Sequence, residues 1–312
     1  MPGSRATRDA RLVKMHAGQL TVSVQTVREL VHEQFPQWRD QPVAALATEG
    51  TVNAIFRIGK HLVARFPLEP GDVDAMRCWL AKEADAAREL AGRTRFATPE
   101  PVAIGEPGGG YPLPWSVQTW LPGVAATEDS VSGSITFARD LGEFIDGVRG
   151  IDTRGRTFRG SVRGGDLQDH DTFVADRLDR SEPLLDVPPL RRMWAQMRSL
   201  PRRTADVMVH GDLVPGNVLA ADGHLTGVLD VGGLKAADPA VDLVCAWHLF
   251  DAGPRQALRE DLDCGDLDWE RGRAWAFQQA IGLVWYYAET NPAMSRLGRS
   301  TLARLVADES RG

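Results

Sequence analysis

Between residues 24 and 35 the apolar positions recur at helical spacing, and Pro36 stops the run. The pattern then switches to two apolar, β-rich runs in "VAALATEGTVNAIFRIGKHLVARFPL", joined at Gly59-Lys60, which predict a hairpin. Residues 72–92 return to helix-forming composition, with Glu83 near the middle. "TPEPVAIGEPGGGYPLPWSVQTWLPG" predicts a strand, a Gly-rich turn and a second strand that ends at Pro122-Gly123. Strands with a single long helix, followed by a Pro-Gly break, predict a small lobe that finishes near residue 122.

Beyond that break the patterning is mostly helical, over 135–149, 190–200, 240–250 and 271–290. Two short strands are predicted on either side of Asp222-Gly223, a dipeptide that favours tight hairpin turns. The stretch "GRTFRGSVRGGDLQDHD", residues 155–171, has no clean period and reads as a long functional loop, with plain surface disorder as an equal alternative. No internal repeat interrupts this order. The chain is therefore divided into a leader (1–20), a small lobe (21–122, with a hinge at 118–123) and a larger helical lobe (123–312).

Composition narrows the function classes. With 312 residues, 43% hydrophobic and 25% charged, the chain can bury an ordinary core in one large domain or two lobes. A net charge of −6 argues against nucleic acid as a partner, because phosphate neutralisation needs a basic face. Cys78, Cys245 and Cys264 are too few and too scattered for a disulfide framework or a zinc site, which fits a reducing cytoplasm. No apolar stretch approaches the ~18 residues that a membrane span needs. The segment "MPGSRATRDARLVKMHAG" has no apolar core after its charges and is expected to be a disordered leader.

The candidate chemistry lies in "VHGDLVPGNVLAADGHLTGVLDVGG", residues 209–233. Phosphoryl transfer asks a protein to aim an acceptor hydroxyl, accept its proton and hold Mg²⁺ against the nucleotide phosphates with hard oxygen ligands. Asp212 and Asn217 have the Asp-to-Asn spacing of a kinase catalytic loop, and Asp230-Val231-Gly232 follows after a short hairpin, where a kinase carries its metal-binding Asp-x-Gly. Each triplet alone occurs by chance, since a loop Asp is commonly a cap or turn residue. Their order, spacing and intervening hairpin together point to Asp212 as base and to Asn217 and Asp230 as metal ligands.

On these residues the chain resembles the aminoglycoside and macrolide phosphotransferases, small-molecule kinases with a protein-kinase-like bilobal fold. The likeness extends from "HGDLVPGNVLAADGHLTGVLDVGG" to "DPAVDLVCAW", "GEPGGGYPLPWSVQTWLPG" and "WERGRAWAFQQAIGLVWYYAETNP". It implies an α+β fold with a small β-rich N-lobe carrying one main helix and a larger, mostly helical C-lobe. It also implies ATP or GTP as co-substrate with Mg²⁺, and a small-molecule hydroxyl acceptor, in particular an antibiotic. The resemblance places Arg65 of "HLVARFP" at the nucleotide phosphates, with Glu83 as its acidic partner. It places Gly50 and Thr51 of "TEGTVNAIF" in a nucleotide loop and the backbone of Gln118, Thr119, Trp120 and Leu121 at the purine. The protein is read as a cytoplasmic monomer or homodimer without nucleic acid or membrane partners.

Three positions depart from the family pattern. Val214 stands where His is frequent, Val231 where Phe is common, and Gly233 where an acidic residue is frequent, which leaves Asn217 and Asp230 as the obvious metal ligands. Asp238 and Asp242 read as structural, Asp238 as a helix cap before Pro239, and Trp247, Trp275 and Trp285 read as core. Glu260 to Glu270 packs six acids into eleven residues, a solvated turn unless it borders the acceptor side of the cleft, where it would attract a polycation. A metabolic kinase for an amino alcohol, sugar or biosynthetic intermediate, and a silent nucleotide-binding pseudokinase, are the competing readings.

Overall fold

A computed structural model describes residues 18–46 and 52–309. Gly50 and Thr51, and the expected leader up to residue 17, lie outside the described residues. The small lobe opens with α1 (Val24–Gln34), capped by the Ser23 side chain, which accepts from the Thr26 N–H. Strands β1 (Val43–Ala45), β2 (Asn53–Ile58) and β3 (Leu62–Pro67) follow, the last two joined across Gly59-Lys60 as the predicted hairpin. Helix α2 (Val73–Leu90), capped by Asp72, precedes β4 (Pro101–Gly105) and β5 (Trp115–Thr119). These strands form one antiparallel sheet in the order β1-β2-β3-β5-β4.

Alternation in β2 sends Ala54, Phe56 and Ile58 to the buried face, where α1 covers them. Phe66 stacks on Trp115 at 4.7 Å and meets Phe56 and Tyr111 edge-on, pairings worth about 0.5–1.5 kcal/mol each beyond the area they bury. Gly105 must lack a side chain, because a Cβ there would sit 2.2 Å from the Trp115 ring.

The chain leaves the sheet through Pro122-Gly123, with Gly123 at φ 142°, and enters β6 (Val124–Ala125). Helices α3 (Glu128–Val131), α4 (Ile135–Arg149), α5 (Asp171–Ser181) and α6 (Val187–Met197) follow. Strand β7 (Val207–Val209) pairs with β10 (Lys235–Ala237), and β8 (Val218–Ala221) and β9 (His224–Val228) form the predicted hairpin, with β6 on the outer side of β8. The rest is α7 (Cys245–Leu249), α8 (Ala252–Asp261), α9 (Asp266–Val284) and α10 (Pro292–Glu309).

Helix α9 is the axis of the large lobe. Trp275, Ala276, Phe277, Gln278 and Gln279 are successive buried residues, so it is enclosed on every side, as a helix without a polar face must be. Helix α10 packs so closely that a Cβ on Gly298 would come within 2.7 Å of the Ala280 carbonyl oxygen.

Three helix limits differ from the pattern-based expectation. Residues 190–200 become Val187–Met197, because Pro188 and Pro189 fit the first turn, where no backbone N–H is needed. The helix expected over 271–290 runs Asp266–Val284, started by Asp266 and Asp268, whose charges favour a helix N-terminus. The stretch 240–250 is divided into a 3₁₀ turn, Pro239–Val244, and α7. No helix among the described residues is long and apolar enough to cross a membrane.

Candidate active site

The backbone of the 209–233 stretch is fixed before any side chain acts. Asp242, fully buried, accepts from the N–H groups of His210 (2.8 Å) and Gly211 (2.7 Å). The His210 ring spans the loop: its Nδ1 accepts from the Asp212 N–H at 3.2 Å and its Nε2–H donates to the Leu229 carbonyl at 3.0 Å. That pair of contacts defines a neutral ring with the proton on Nε2. Leu229 N–H in turn donates to Asn217 O at 2.7 Å, which sets Asp230 next to Asn217. Asp242 is thus structural, as expected, and it acts directly on the loop that carries Asp212.

Asp212 divides its two oxygens. Oδ2 accepts from Asn217 Nδ2 at 3.0 Å, while Oδ1 accepts from Gln279 Nε2 at 2.8 Å and from the Arg163 guanidinium at 3.0 Å. With Nδ2 spent on Asp212, Asn217 Oδ1 is the atom left for a ligand. Asp230 takes the left-handed conformation, φ 56° and ψ 44°, and its Oδ1 accepts from Arg65 Nη2 at 2.7 Å while Oδ2 has no hydrogen bond among the described residues. Two uncommitted hard oxygens on adjacent segments suit Mg²⁺, which takes few protein ligands and completes its shell with phosphates and water.

The small lobe brings Arg65, Glu83 and Gln118 to one cavity of about 260 Å³, closed from below by Val231 and Gly232. The expected partnership is changed: Arg65 bonds Asp230, and no hydrogen bond joins it to Glu83 among the described residues. Glu83 packs instead on Gly232, where a Cβ would lie 2.7 Å from Glu83 Cγ. Burial, opposed by Arg65 and reinforced by Asp230, pushes the Glu83 carboxyl up to about 7. Burial also works against the Asp230 carboxylate, but the Arg65 charge and hydrogen bond prevail and hold it below its ordinary range. A larger open depression of about 590 Å³ on the outer side of α2, at Asp85 and Arg154, contains none of the predicted residues.

In the hinge, Thr119 N–H donates to Glu100 O and Trp120 N–H to His61 O, and the Arg57 guanidinium lies 4.4 Å from the Trp120 ring centre. Those two donors are committed, which leaves Leu121 N–H as a hinge donor without a partner among the described residues.

Sequence reading missed three residues around Asp212. Arg163 belongs to the 155–171 loop, which is built rather than loose: Phe158 N–H donates to Asp206, Asp238 N–H to Gly164 O, Arg271 to Gly165 O, and Arg156 pairs with Glu89 of α2. Lys235 flanks Gly211 from β10. Gln279 had a legible signal, a Gln pair inside the otherwise apolar run from Ala274 to Val284.

Gln279 also leads inward. Its Oε1 accepts from His248 Nε2 at 3.2 Å, and His248 Nδ1 accepts from the Thr301 hydroxyl at 2.9 Å, so a buried chain of side chains braces Asp212. Burial lowers the His248 pKa from 6.5 to about 4. Between those values the unfolded chain takes up a proton that the folded one refuses, so stability falls on acidification, by about 3 kcal/mol in all, and is flat above pH 6.5. Glu83 contributes with the opposite sign below pH 7, so the measurement is the difference in urea unfolding between wild type and His248→Gln from pH 7 to 5. A difference that does not change with pH would refute the neutral buried ring.

The acidic stretch 260–270 is remote from this centre. Asp266 opens α9 and Gln279 lies thirteen residues along it, about 20 Å at the helical rise. Asp266 pairs with Arg259, and Asp268 accepts from Thr204. Glu260 and Asp261 close α8 and Asp266, Asp268 and Glu270 open α9, so the stretch is a corner between two helices rather than the solvated turn expected, with Leu262 and Trp269 buried beneath it.

Comparison with known proteins bears on the fold. The GDP complex of aminoglycoside 2'-phosphotransferase-IIIa is 20% identical with a TM-score of 0.69, over 92% of this chain and 100% of that one. Macrolide 2'-phosphotransferase MphH from Brachybacterium faecium is 19% identical with a TM-score of 0.57, over 89% of this chain and 97% of that one. The ADP-bound aminoglycoside phosphotransferase APH(2'')-Ib is 15% identical with a TM-score of 0.58, over 89% and 98%. At these identities the likeness establishes the bilobal kinase-like fold. No curated protein matched at the sequence level. The APH profile, described as the phosphotransferase enzyme family, matches residues 43–275, and with the fold and the Asp212 loop in place the chain belongs to that family.

Proposed function

We propose that the protein transfers the γ-phosphoryl group of ATP or GTP to a hydroxyl of a small molecule, with Asp212 as the base. The observation that carries this reading is the split coordination of Asp212, with one oxygen on Asn217 beside Asp230 and the other on Arg163 and Gln279. The acceptor O–H gives its proton to Asp212 while its oxygen forms a bond to phosphorus and the bond to the departing nucleoside diphosphate breaks. Asn217 Oδ1 and Asp230 would hold Mg²⁺, which when bound neutralises charge on the phosphate oxygens. Arg65 is a fork suited to phosphate oxygens, Glu83 is a second carboxyl in the same cavity, and Leu121 N–H is the donor offered to a purine. Gly50 and Thr51, which lie outside the described residues, are the remaining phosphate contacts of this reading.

Antibiotics are the first acceptors to try, because solved members of the fold are complexes with kanamycin, gentamicin and streptomycin. The distance between the acidic stretch and Asp212 favours the second reading, a metabolic acceptor that is not a polycation. Mass spectrometry of protein with Mg²⁺, ATP plus GTP and a panel of aminoglycosides, macrolides, sugars, amino alcohols and hydroxy acids tests both. A phosphorylated product that disappears with Asp212→Ala is expected. Nucleotide binding without any product would favour the pseudokinase.

Asp230→Asn should raise the Mg²⁺ concentration needed for half-maximal turnover by about tenfold or more, since one anionic ligand becomes neutral. An unchanged Mg²⁺ dependence would remove Asp230 from the metal site.

A further inference from the structure

We propose that the acceptor carries an anionic group, a carboxylate or a phosphate, close to the hydroxyl that is phosphorylated, and that Arg163 and Lys235 seat it. This rests on the reading of Asp212 as the base. With Oδ2 on Asn217, a hydroxyl must approach Oδ1, and the charged groups there are cations. Arg163 donates to Asp212 Oδ1 and to the Gly211 carbonyl at 3.1 Å, and its Nε is buried without a hydrogen-bond partner among the described residues. Lys235 stands beside it: a Cβ on Gly211 would lie 3.5 Å from Lys235 Cε and 3.7 Å from Nζ. The ammonium lies 5.9 Å from the Phe158 ring centre and makes no hydrogen bond or ion pair among the described residues.

The nearby carboxylate that could balance these charges is spent. Asp242 is fully buried, with both oxygens on the N–H groups of His210 and Gly211. Burial and the Arg163 charge depress the Lys235 pKa against the pull of Asp242 and Asp212. The two cations are also preset. Gly164, next to Arg163, holds φ 133°, and a Cβ there would come within 2.7 Å of Ala237 Cβ and 2.9 Å of the Phe158 ring. Lys235 is fixed by the pairing of β10 with β7.

The chemistry follows from the contact that must be broken. A hydroxyl reaching Oδ1 displaces Arg163, and a half-buried guanidinium parted from its carboxylate is costly unless another anion takes its place. An acid on the acceptor supplies that anion and accepts the Lys235 ammonium as well. An amine-rich acceptor supplies none and meets two like charges.

The test is calorimetric binding of charge-matched compounds to the full chain saturated with Mg²⁺ and a non-hydrolysable ATP or GTP analogue. Glucuronate, glucose and glucosamine form one series, and glycerate, glycerol and 3-amino-1,2-propanediol another. The acid of at least one series should bind roughly tenfold more tightly than its amine. Arg163→Gln and Lys235→Gln should each erase that preference, and Lys235→Arg should keep it. Equal binding, a preference for the amines, no binding of either acid, or a preference that survives both Gln variants overturns the inference. Asp212-dependent phosphorylation of an amine-rich acceptor in preference to acids would overturn it and leave the phosphotransferase reading standing. Acid-selective binding without an Asp212-dependent product for any acceptor would do the reverse.

Discussion

Asp212→Asn should lower kcat by about 10²–10⁴-fold, the usual contribution of a positioned base, while nucleotide binding stays as it was. The substitution keeps the volume of the side chain but leaves one acceptor oxygen where the carboxylate has two. The carboxylate now accepts from Asn217 on one side and from Gln279 and Arg163 on the other. An amide cannot satisfy both sides, nor can it take a proton from the acceptor. The nucleotide contacts proposed for Arg65 and Leu121 lie outside this exchange, so the loss belongs in turnover. Steady-state kinetics on the acceptor identified by mass spectrometry, beside a nucleotide titration, separates the two. A variant that keeps most of its turnover would remove Asp212 from the role of base.

The largest effect on stability is expected at Arg271. Its guanidinium reaches Asp238 Oδ2 at 2.6 Å and 2.9 Å, and both side chains are 1% exposed. It also donates to Leu200 O and Gly165 O, while Trp275 Nε1 donates to the same Asp238 oxygen. Removing one partner of a buried pair leaves a desolvated charge, a loss of about 3–5 kcal/mol. Arg271→Met should therefore lower the urea midpoint sharply. Adding Asp238→Asn should recover part of the loss, since an amide oxygen can still cap Ala240 N–H, where Asp238 now caps the turn that follows β10. A single variant within about 1 kcal/mol of wild type would mean that water reaches the pair.

Much of the fold was legible because each lobe announces itself by a change of period. Alternation in β2, the Gly59-Lys60 turn and the Pro122-Gly123 break locate the small lobe, whose sheet has five strands. Helices α5 and α10 were not anticipated. The first is charged enough that its buried Val174, Leu178 and Ser181 make a narrow stripe, and the second starts at Pro292, which punctuation reads as a stop. Within the site, Asp212, Asn217 and Asp230 follow from spacing, because they share one short stretch whose hairpin brings its ends together. Arg163 and Gln279 do not. They meet Asp212 from 49 and 67 residues away in the chain, and only tertiary packing specifies such encounters. The Arg65 partner differs from the expectation for a related reason: Asp230 reaches the guanidinium from 165 residues away in the chain.

That ion pair across the cleft has a thermodynamic corollary. With Arg65 assigned to phosphate and Asp230 to metal, each ligand arriving alone must break the same 2.7 Å contact and orphan one of its members. Arriving together they break it once and give both groups a new counterion. Metal and nucleotide should then show positive heterotropic linkage, each tightening the other by the same factor, and Arg65→Met should weaken that reciprocity by releasing Asp230 from its competitor in advance.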